Sequence, residues 1–283
     1  MTTTTTTIEI VPSGAACGAE VRGVDLGRPQ PGSVVFALLQ AFREHQVLCV
    51  RGQTLTDERL LEVGEWFGSP YTPPEGIPVL GDAGQHGVTR ISNVDGGVGG
   101  ESALPFHSDL QYMPLPLLAS MLYAVEVPSE GGATYWSNLY QAYDELSDEL
   151  KATIADVKGI GFNPYAAGGG QSIAGPNQHT VDHEVPDFPH PIARTHPDTG
   201  RTALYMSMFM QRLIDVPDGV DPTELRNTLN HHVDQDHLYY RHDWQPGDLL
   251  IWDNRCTNHK RDALEPGLRR VMHRCQIAGT RPF

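Results

Sequence analysis

Leu104-Pro-Phe-His107-Ser-Asp109-Leu-Gln-Tyr-Met113 is the stretch on which the reading of this chain turns. Strand-forming residues surround a His-x-Asp pair, and side chains in a strand alternate between faces. His107 and Asp109 are therefore expected to point the same way and grip one metal from one wall. A third ligand has to arrive from elsewhere. Downstream, Gly247-Asp-Leu-Leu-Ile-Trp-Asp253 reads as a turn followed by a buried strand, and it delivers His259 a few residues later. Two imidazoles and one carboxylate on one face of a metal, with other positions open, suit the facial triad that holds non-haem Fe(II).

The pair alone is a weak signal in a chain with thirteen histidines, and a strand histidine is more often a hydrogen-bonded structural residue than a ligand. Other residues strengthen it. In LRRVMHRCQIAG alternation again predicts a strand, carrying Arg270. An arginine there suits a clamp on a distal carboxylate through paired charge-assisted hydrogen bonds. Thr134, in the turn-to-strand passage GGATYW, offers a hydroxyl.

With these residues in view, the chain resembles the TauD/TfdA group of Fe(II)/2-oxoglutarate-dependent dioxygenases. The motifs that carry the resemblance run from Ala19-Glu-Val-Arg-Gly-Val-Asp-Leu through His45-Gln-Val-Leu-Cys-Val-Arg-Gly-Gln and Trp66-Phe-Gly to His107-Ser-Asp and Gly131-Gly-Ala-Thr. They continue through Arg194-Thr-His-Pro and Ile251-Trp-Asp-Asn-Arg-Cys-Thr-Asn-His to Arg269-Arg-Val-Met-His-Arg. The resemblance implies a mainly β fold with flanking helices around a double-stranded β-helix (jelly-roll, cupin-like) core. It also implies Fe(II) held by His107, Asp109 and His259, with 2-oxoglutarate contacted by Thr134 and Arg270, and O2 as oxidant. Arg274 resembles the arginine that meets an anionic group of the primary substrate. The implied reaction oxidises, most simply hydroxylates, a small anionic organic substrate while 2-oxoglutarate becomes succinate and CO2; desaturation or ring formation in secondary metabolism is the alternative. Asp109 occupies the position that halogenating relatives leave without a carboxylate, so halogenation is not expected.

Departures from the family pattern fall where the substrate pocket is shaped. Taurine-specific members carry histidines after Phe-Gly, where this chain has Ser69-Pro-Tyr71-Thr-Pro, and an asparagine before His-x-Asp, where it has Ala103-Leu-Pro-Phe106. Replacing hydrogen-bonding groups by such residues implies a larger or more apolar substrate body. Tyr71, Phe106, Tyr112, Phe162, Asn163 and Tyr205 are the candidate pocket residues, with core packing as the plainer reading of each. His179 and His183 have the spacing of a zinc pair on a helix, but they lie in a Pro/Gly-rich run without the HExxH glutamate. His231, His232 and His237 read as solvated helix-end residues.

The chain has 283 residues, of which 39% are hydrophobic, enough for a full core in one large domain from residue 8 onward. A net charge of −15 disfavours nucleic acid and anionic membrane surfaces as partners. A small anion drawn to a local arginine pair is still compatible. No apolar run long enough to span a bilayer is present. The threonine-rich residues 1–7 resemble no signal peptide and are expected to be disordered. Cys17, Cys49, Cys256 and Cys275 form no CxxC pair, which fits a reduced, cytoplasmic setting. Family resemblance implies a homodimer or homotetramer.

Helical spacing is read over residues 33–45, over a segment capped by Thr56 that carries Leu60, Val63 and Phe67, over Tyr140 to Val157, and over Pro222 to Val233. Val47-Leu-Cys-Val reads as a strand. Gly- and Pro-rich spans at about 71–104 and 161–191 read as long loops, expected to be lids inserted in the domain. Two other classes are open at this stage. A zinc hydrolase uses a similar ligand set but leaves Arg270 and Thr134 unexplained. A non-catalytic relative keeps the fold, yet such a relative would usually have lost part of the site.

Overall fold

Val47-Leu-Cys-Val50 and Leu249-Leu-Ile-Trp-Asp253 are buried along their whole length and lie side by side as antiparallel strands. Continuous apolar runs are what strands covered on both faces require. The computed structural model describes residues 8–73, 87–94, 99–162 and 188–283. In chain order its elements are β1 (Glu9–Pro12), β2 (Ala19–Arg22), α1 (Gly32–His45), β3 (Val47–Val50), α2 (Asp57–Glu65), β4 (Val88–Ser92), β5 (Leu104–His107), β6 (Ala119–Glu126) and β7 (Thr134–Asn138). There follow α3 (Leu139–Asp144), α4 (Asp148–Ile154), β8 (Lys158–Gly161), β9 (Pro189–Pro191), β10 (Ala193–Thr195), β11 (Thr202–Leu204) and β12 (Met210–Ile214). The last are α5 (Pro222–Val233), β13 (Tyr239–His242), β14 (Leu249–Asp253), β15 (Thr257–Arg261) and β16 (Val271–Ile277).

Seven strands in the order β1-β2-β3-β14-β6-β16-β4 form the large sheet, and β13-β7-β15-β5 form a four-stranded sheet. Val47, Cys49, Leu122, Leu250, Trp252 and Met272 from the first pack with Trp136 from the second, so the two sheets enclose a shared core. This is the jelly-roll expected from the resemblance. The outer face of the large sheet is covered by α1 and α2, whose Val34, Leu38, Phe42, Leu60 and Val63 are buried against it. Burying a side chain of Leu38's size contributes about 2 kcal/mol, and an acidic residue there would disrupt the contact. Helix α1 stops where Gln46 takes a left-handed conformation and its N–H bonds back to Phe42. Helix α2 starts at Thr56, whose hydroxyl accepts from the Arg59 N–H, with Asp57 and Glu58 in the first turn.

Several expectations are corrected. The single helix expected over Tyr140 to Val157 is two, α3 and α4. The break comes at Ser147, which takes an extended conformation and caps α4 by accepting the Leu150 N–H at 3.1 Å. The span 71–104 is not a continuous loop, because β4 lies inside it and pairs antiparallel with β16. The second span likewise begins in β8 and ends in β9. The rest of both expected lids, residues 74–86, 95–98 and 163–187, lies outside the described residues, as does the threonine tail. Phe67 falls beyond the end of α2 but is buried in the same cluster. Cys17, Cys49, Cys256 and Cys275 are all buried thiols. Among the described residues no helix is long and apolar enough to cross a membrane.

Candidate metal centre

Strand β5 brings His107 directly opposite His259 of β15 in the antiparallel ladder. The two rings lie 4.2 Å apart, centroid to centroid. Their register is broken between His259 and Arg261 by an irregularity facing Pro105 and Phe106, and a proline has no N–H to give to a ladder. At this irregularity His107 Nδ1 donates to Pro105 O at 2.8 Å, which leaves Nε2 for a metal.

Asp109 reaches the same point by a different route from the one the spacing predicts. Strand β5 ends at His107, and Asp109 sits in the following turn, where Leu110 takes a positive φ of 53°. A buried leucine in that conformation is strained by about 1–2 kcal/mol, and the turn is held by its surroundings rather than by local preference. Ligand atoms of His107, Asp109 and His259 all fall within 4.8 Å of one another.

Behind Asp109 runs a buried polar chain. Ser120 Oγ donates to Asp109 Oδ2 at 2.6 Å, Asn254 Nδ2 donates to Ser120 Oγ at 2.9 Å, and Trp252 Nε1 donates to Asn254 Oδ1 at 3.0 Å. Ser108 Oγ adds a bond to the Asn254 carbonyl. One carboxylate oxygen of Asp109 is thus held from behind, and Oδ1 faces His259 Nε2 at 3.9 Å. Ser120 and Asn254 escape a sequence reading because their meeting depends on the pairing of β6 with β14.

The electrostatics suit a cation. Burial opposes ionisation of Asp109, but His259, Arg274, His107 and the Ser120 hydroxyl together hold its carboxyl below the ordinary carboxylate range. Burial lowers both histidines, opposed at each by Asp109 and reinforced by neighbouring positive charge; His259 is pushed down to about 3. Two neutral imidazoles and one ionised carboxylate are the protonation states that metal ligation requires. The donor set therefore fits a divalent metal.

A second group of residues lies around Trp244. Its indole N–H donates to Thr134 Oγ1 at 2.9 Å, and its ring centroid is 6.0 Å from the guanidinium carbon of Arg270. Thr134 keeps its own hydroxyl proton for a ligand. Arg270 is 3% exposed, and its Nε has no partner among the described residues. Burial, with the like charge of Arg261, pushes it down to about 9. Its position is not set by strand alternation: β16 begins at Val271, and its register shifts between Val271 and Met272. Instead the Arg270 N–H donates to Asn93 Oδ1, and its carbonyl accepts from the Asn93 N–H. Arg274 lies within β16 between Thr89 and Leu122, is 8% exposed, and acts electrostatically on all three residues of the triad.

The remaining candidates divide. Tyr112 is buried with its ring 6.0 Å from Phe209, whose own ring stands edge-on 5.4 Å from His107. Tyr71 packs against the cluster of Leu110, Tyr112, Met113 and Leu117. Phe162 is tied by its N–H to the Phe209 carbonyl. Phe106, however, turns to the other face of the sheet, where its ring meets Tyr239 and Lys260. It neighbours His107, and strand alternation sends adjacent side chains to opposite faces. Tyr205 is wholly buried in the cluster built on α3 and α5, beneath Arg194, with its hydroxyl close to Ser108 of the His-x-Asp segment. Asn163, His179 and His183 lie outside the described residues. His232 Nε2 donates to the Ala142 carbonyl at 2.7 Å and His237 pairs with Glu145, while His231 is exposed at the end of α5. Phe209 and Trp244 were not singled out by their sequence surroundings.

Two further clusters have metal-ligand chemistry but carry their own counterions. Asp248 of the Cys49, His242, Asp248 group is bonded by Arg51 and His242. Asp253 of the His196, Asp253, Cys256 group is bonded by Arg255 and His196. With those hydrogen bonds in place both read as structural.

Comparison with known proteins identifies the family. The family described as "Taurine catabolism dioxygenase TauD, TfdA family" matches residues 9–276. An alkylsulfatase of Acinetobacter baylyi is 31% identical over 93% of this chain and 82% of its own length. An (S)-phenoxypropionate/alpha-ketoglutarate-dioxygenase of Sphingobium herbicidovorans is 29% identical over 96% of this chain and 95% of its own length. The solved structure of AAD-2 in complex with Mn(II) and N-oxalylglycine superposes with a TM-score of 0.78 at 27% identity, covering 98% of this chain and 99% of that one. The chain belongs to the TauD/TfdA family and is an Fe(II)- and 2-oxoglutarate-dependent dioxygenase.

Proposed function

We propose that this enzyme oxidises a small organic anion with an apolar body, a sulfate ester or an aryloxy- or alkyl-carboxylate, held by Arg274 beside the metal. The observation that carries the reading is the place of Arg274: a nearly buried guanidinium in β16 whose charge acts on His107, Asp109 and His259 alike. A buried cation next to a reaction centre favours an anionic head group. Phe209, Tyr112 and Tyr71 supply an apolar wall on the His107 side for the body. The relatives named for alkyl sulfates and phenoxypropionate support the same pairing of anion and apolar body.

In this reading His107, Asp109 and His259 hold iron, and Thr134 and Arg270 hold the far carboxylate of 2-oxoglutarate. With both bound, the site activates O2 and couples decarboxylation of 2-oxoglutarate, to succinate and CO2, with oxidation of a substrate C–H bond. The protein's part is positioning. Ser120 and Asn254 fix the Asp109 carboxylate. Pro105 fixes the His107 tautomer, so Nε2 carries no proton. Thr134, its oxygen already accepting from Trp244, directs its hydroxyl proton to the cosubstrate. Arg274 places the substrate so that the carbon bearing the ester or ether oxygen faces the metal. Once hydroxylated, that carbon in a sulfate ester or aryloxy-carboxylate collapses to a carbonyl and its former oxygen substituent leaves as sulfate or phenol, whereas an alkyl-carboxylate keeps the new hydroxyl.

The test is succinate formation under air with Fe(II), run against alkyl sulfates, aryloxy-carboxylates, alkyl-carboxylates and sulfonates. One anion class is expected to raise succinate well above the substrate-free background, with Arg274→Ala removing the rise. If no anion raises it, or Arg274→Ala leaves the rise intact, the proposed substrate class fails.

A further inference from the structure

Arg261 is a buried cation that the reading above does not use. It stands two positions beyond His259 on β15, and its direct partner across the ladder on β7 is Thr134. Strand alternation therefore turns Arg261 inward with His259 and Thr134. The side chain is 7% exposed. One terminal nitrogen donates to the carbonyls of Gly100 and Ser102, at 2.7 and 2.6 Å. Its Nε is buried with no partner, and among the described residues no carboxylate meets it.

Arg270 is in the same condition, also buried and with Nε unpartnered among the described residues. Thr134 links the two. It faces Arg261 across the ladder and is joined to Arg270 through Trp244, which donates to Thr134 Oγ1 and lies beside the Arg270 guanidinium. Two like charges in a poorly solvated interior destabilise each other unless an anion joins them. A carboxylate has two oxygens with about four acceptor positions, enough for two guanidiniums and one hydroxyl. The carbonyls of Gly100 and Ser102 satisfy only one nitrogen of Arg261, and they fix the direction in which the rest of the fork points.

We propose that Arg261 is a second cationic contact of the distal carboxylate of 2-oxoglutarate, so that Arg261, Thr134 and Arg270 hold that end of the cosubstrate together. The proposal rests on the reading of Thr134 and Arg270 as the cosubstrate site. Its consequence is selectivity: the enzyme should discriminate strongly against 2-oxo acids that lack the second carboxylate. The competing role for Arg261 is a structural pin on residues 99–103 alone.

Calorimetric titration of the Mn(II)-loaded protein separates these roles without turnover. The two probes are 2-oxoglutarate and 2-oxopentanoate, which share the metal-binding head and chain length and differ in the distal carboxylate. Arg261→Gln is expected to weaken 2-oxoglutarate by about 10- to 100-fold and to leave 2-oxopentanoate within about twofold. Arg261→Lys, which keeps the charge and loses the planar fork, is expected to fall between, and it is the variant to read if Arg261→Gln does not fold. Unchanged 2-oxoglutarate binding in these variants, or equal weakening of both probes, overturns the proposal. Arg270→Gln run in parallel tells which reading has failed. Loss of discrimination there but not at Arg261 overturns the role of Arg261 alone. Discrimination unchanged in both variants overturns the whole cosubstrate site.

Discussion

His107 and His259 are direct partners across an antiparallel ladder, their rings 4.2 Å apart. Residues so paired in sequence-distant strands are fixed by the sheet itself, and the proposed metal site inherits the rigidity of β5 and β15. Removing one of the pair should therefore abolish metal binding without unfolding the sheet. For His259→Ala the expected result is a loss of Mn(II) and Fe(II) affinity of more than about 100-fold. Calorimetric metal titration measures it, and circular dichroism checks that the fold survives.

Ser120 has a subtler part. It donates to Asp109 at 2.6 Å and is itself held by Asn254 at 2.9 Å. Ser120→Ala leaves Asp109 in place but frees its carboxylate to rotate, so metal affinity should fall by about 10-fold with little change in the 2-oxoglutarate KM. Metal titration of the variant reads the first effect and steady-state kinetics at saturating metal the second. Unaltered metal affinity would show that the turn after β5 alone orients Asp109.

What the sequence discloses and what it hides follows from the range of the interactions. Strand β3 and helix α5 are legible because the apolar spacing that defines each is local. The His-x-Asp pair and His259 are legible as a motif, but Asp109 is brought to the histidines by the turn at Leu110 and not by strand alternation. Phe106 turns away from His107, toward Tyr239 and Lys260, since neighbours in a strand face opposite ways. Ser120, Trp244, Phe209 and Arg261 are silent in the sequence because their roles come from cross-strand register and from contacts between distant segments. The break at Ser147 is hidden in the sequence because Tyr143, Leu146, Leu150 and Ile154 continue one helical apolar spacing across it.

A buried histidine outside the metal site sets part of the pH dependence of stability. His190 is 1% exposed, bonded to the Met113 carbonyl at 2.8 Å, and pushed by burial from 6.5 down to about 4. Its folded-state value lies below its unfolded value, so the unfolded chain takes up the proton first as pH falls. The stability His190 contributes is complete above about pH 6.5 and is lost between there and about pH 4. From about pH 7.5 to about pH 5 the loss should be about 2 kcal/mol. Denaturant unfolding of the metal-free protein with and without His190→Gln measures it, the variant showing the shallower decline.

Asp253 closes β14 and begins the turn that leads to His259. It accepts from Arg255 at 2.6 and 2.8 Å and pairs with His196 at 3.0 Å, in a wholly buried cluster. Burial opposes its ionisation, but Arg255 and His196 hold the carboxyl far below the usual range. Asp253→Asn leaves the Arg255 charge buried with Asp198 as its remaining acidic partner. Breaking a buried pair in this way should cost about 3 kcal/mol, seen as a lower unfolding temperature. A variant as stable as the wild type would mean that Asp198 compensates fully.

Phe209 offers the sharpest probe of the substrate's body. Its ring stands edge-on to His107 at 5.4 Å and meets Tyr112 at 6.0 Å, and the side chain is 7% exposed. If the apolar part of the substrate rests on this wall, Phe209→Ala opens space beside the metal and weakens the grip on short substrates. A loss of about 10-fold in kcat/KM is expected for the best short-bodied anion, with a smaller loss or a gain for longer ones, because each buried methylene contributes about 0.8 kcal/mol. The 2-oxoglutarate KM should not change, and succinate released without product should rise as positioning loosens. Phe to Ala in a core can destabilise by about 3–5 kcal/mol, so Phe209→Leu is the companion variant, with the same direction and a smaller amplitude. An unaltered chain-length preference in both variants would remove Phe209 from the substrate pocket and return it to core packing against Tyr112.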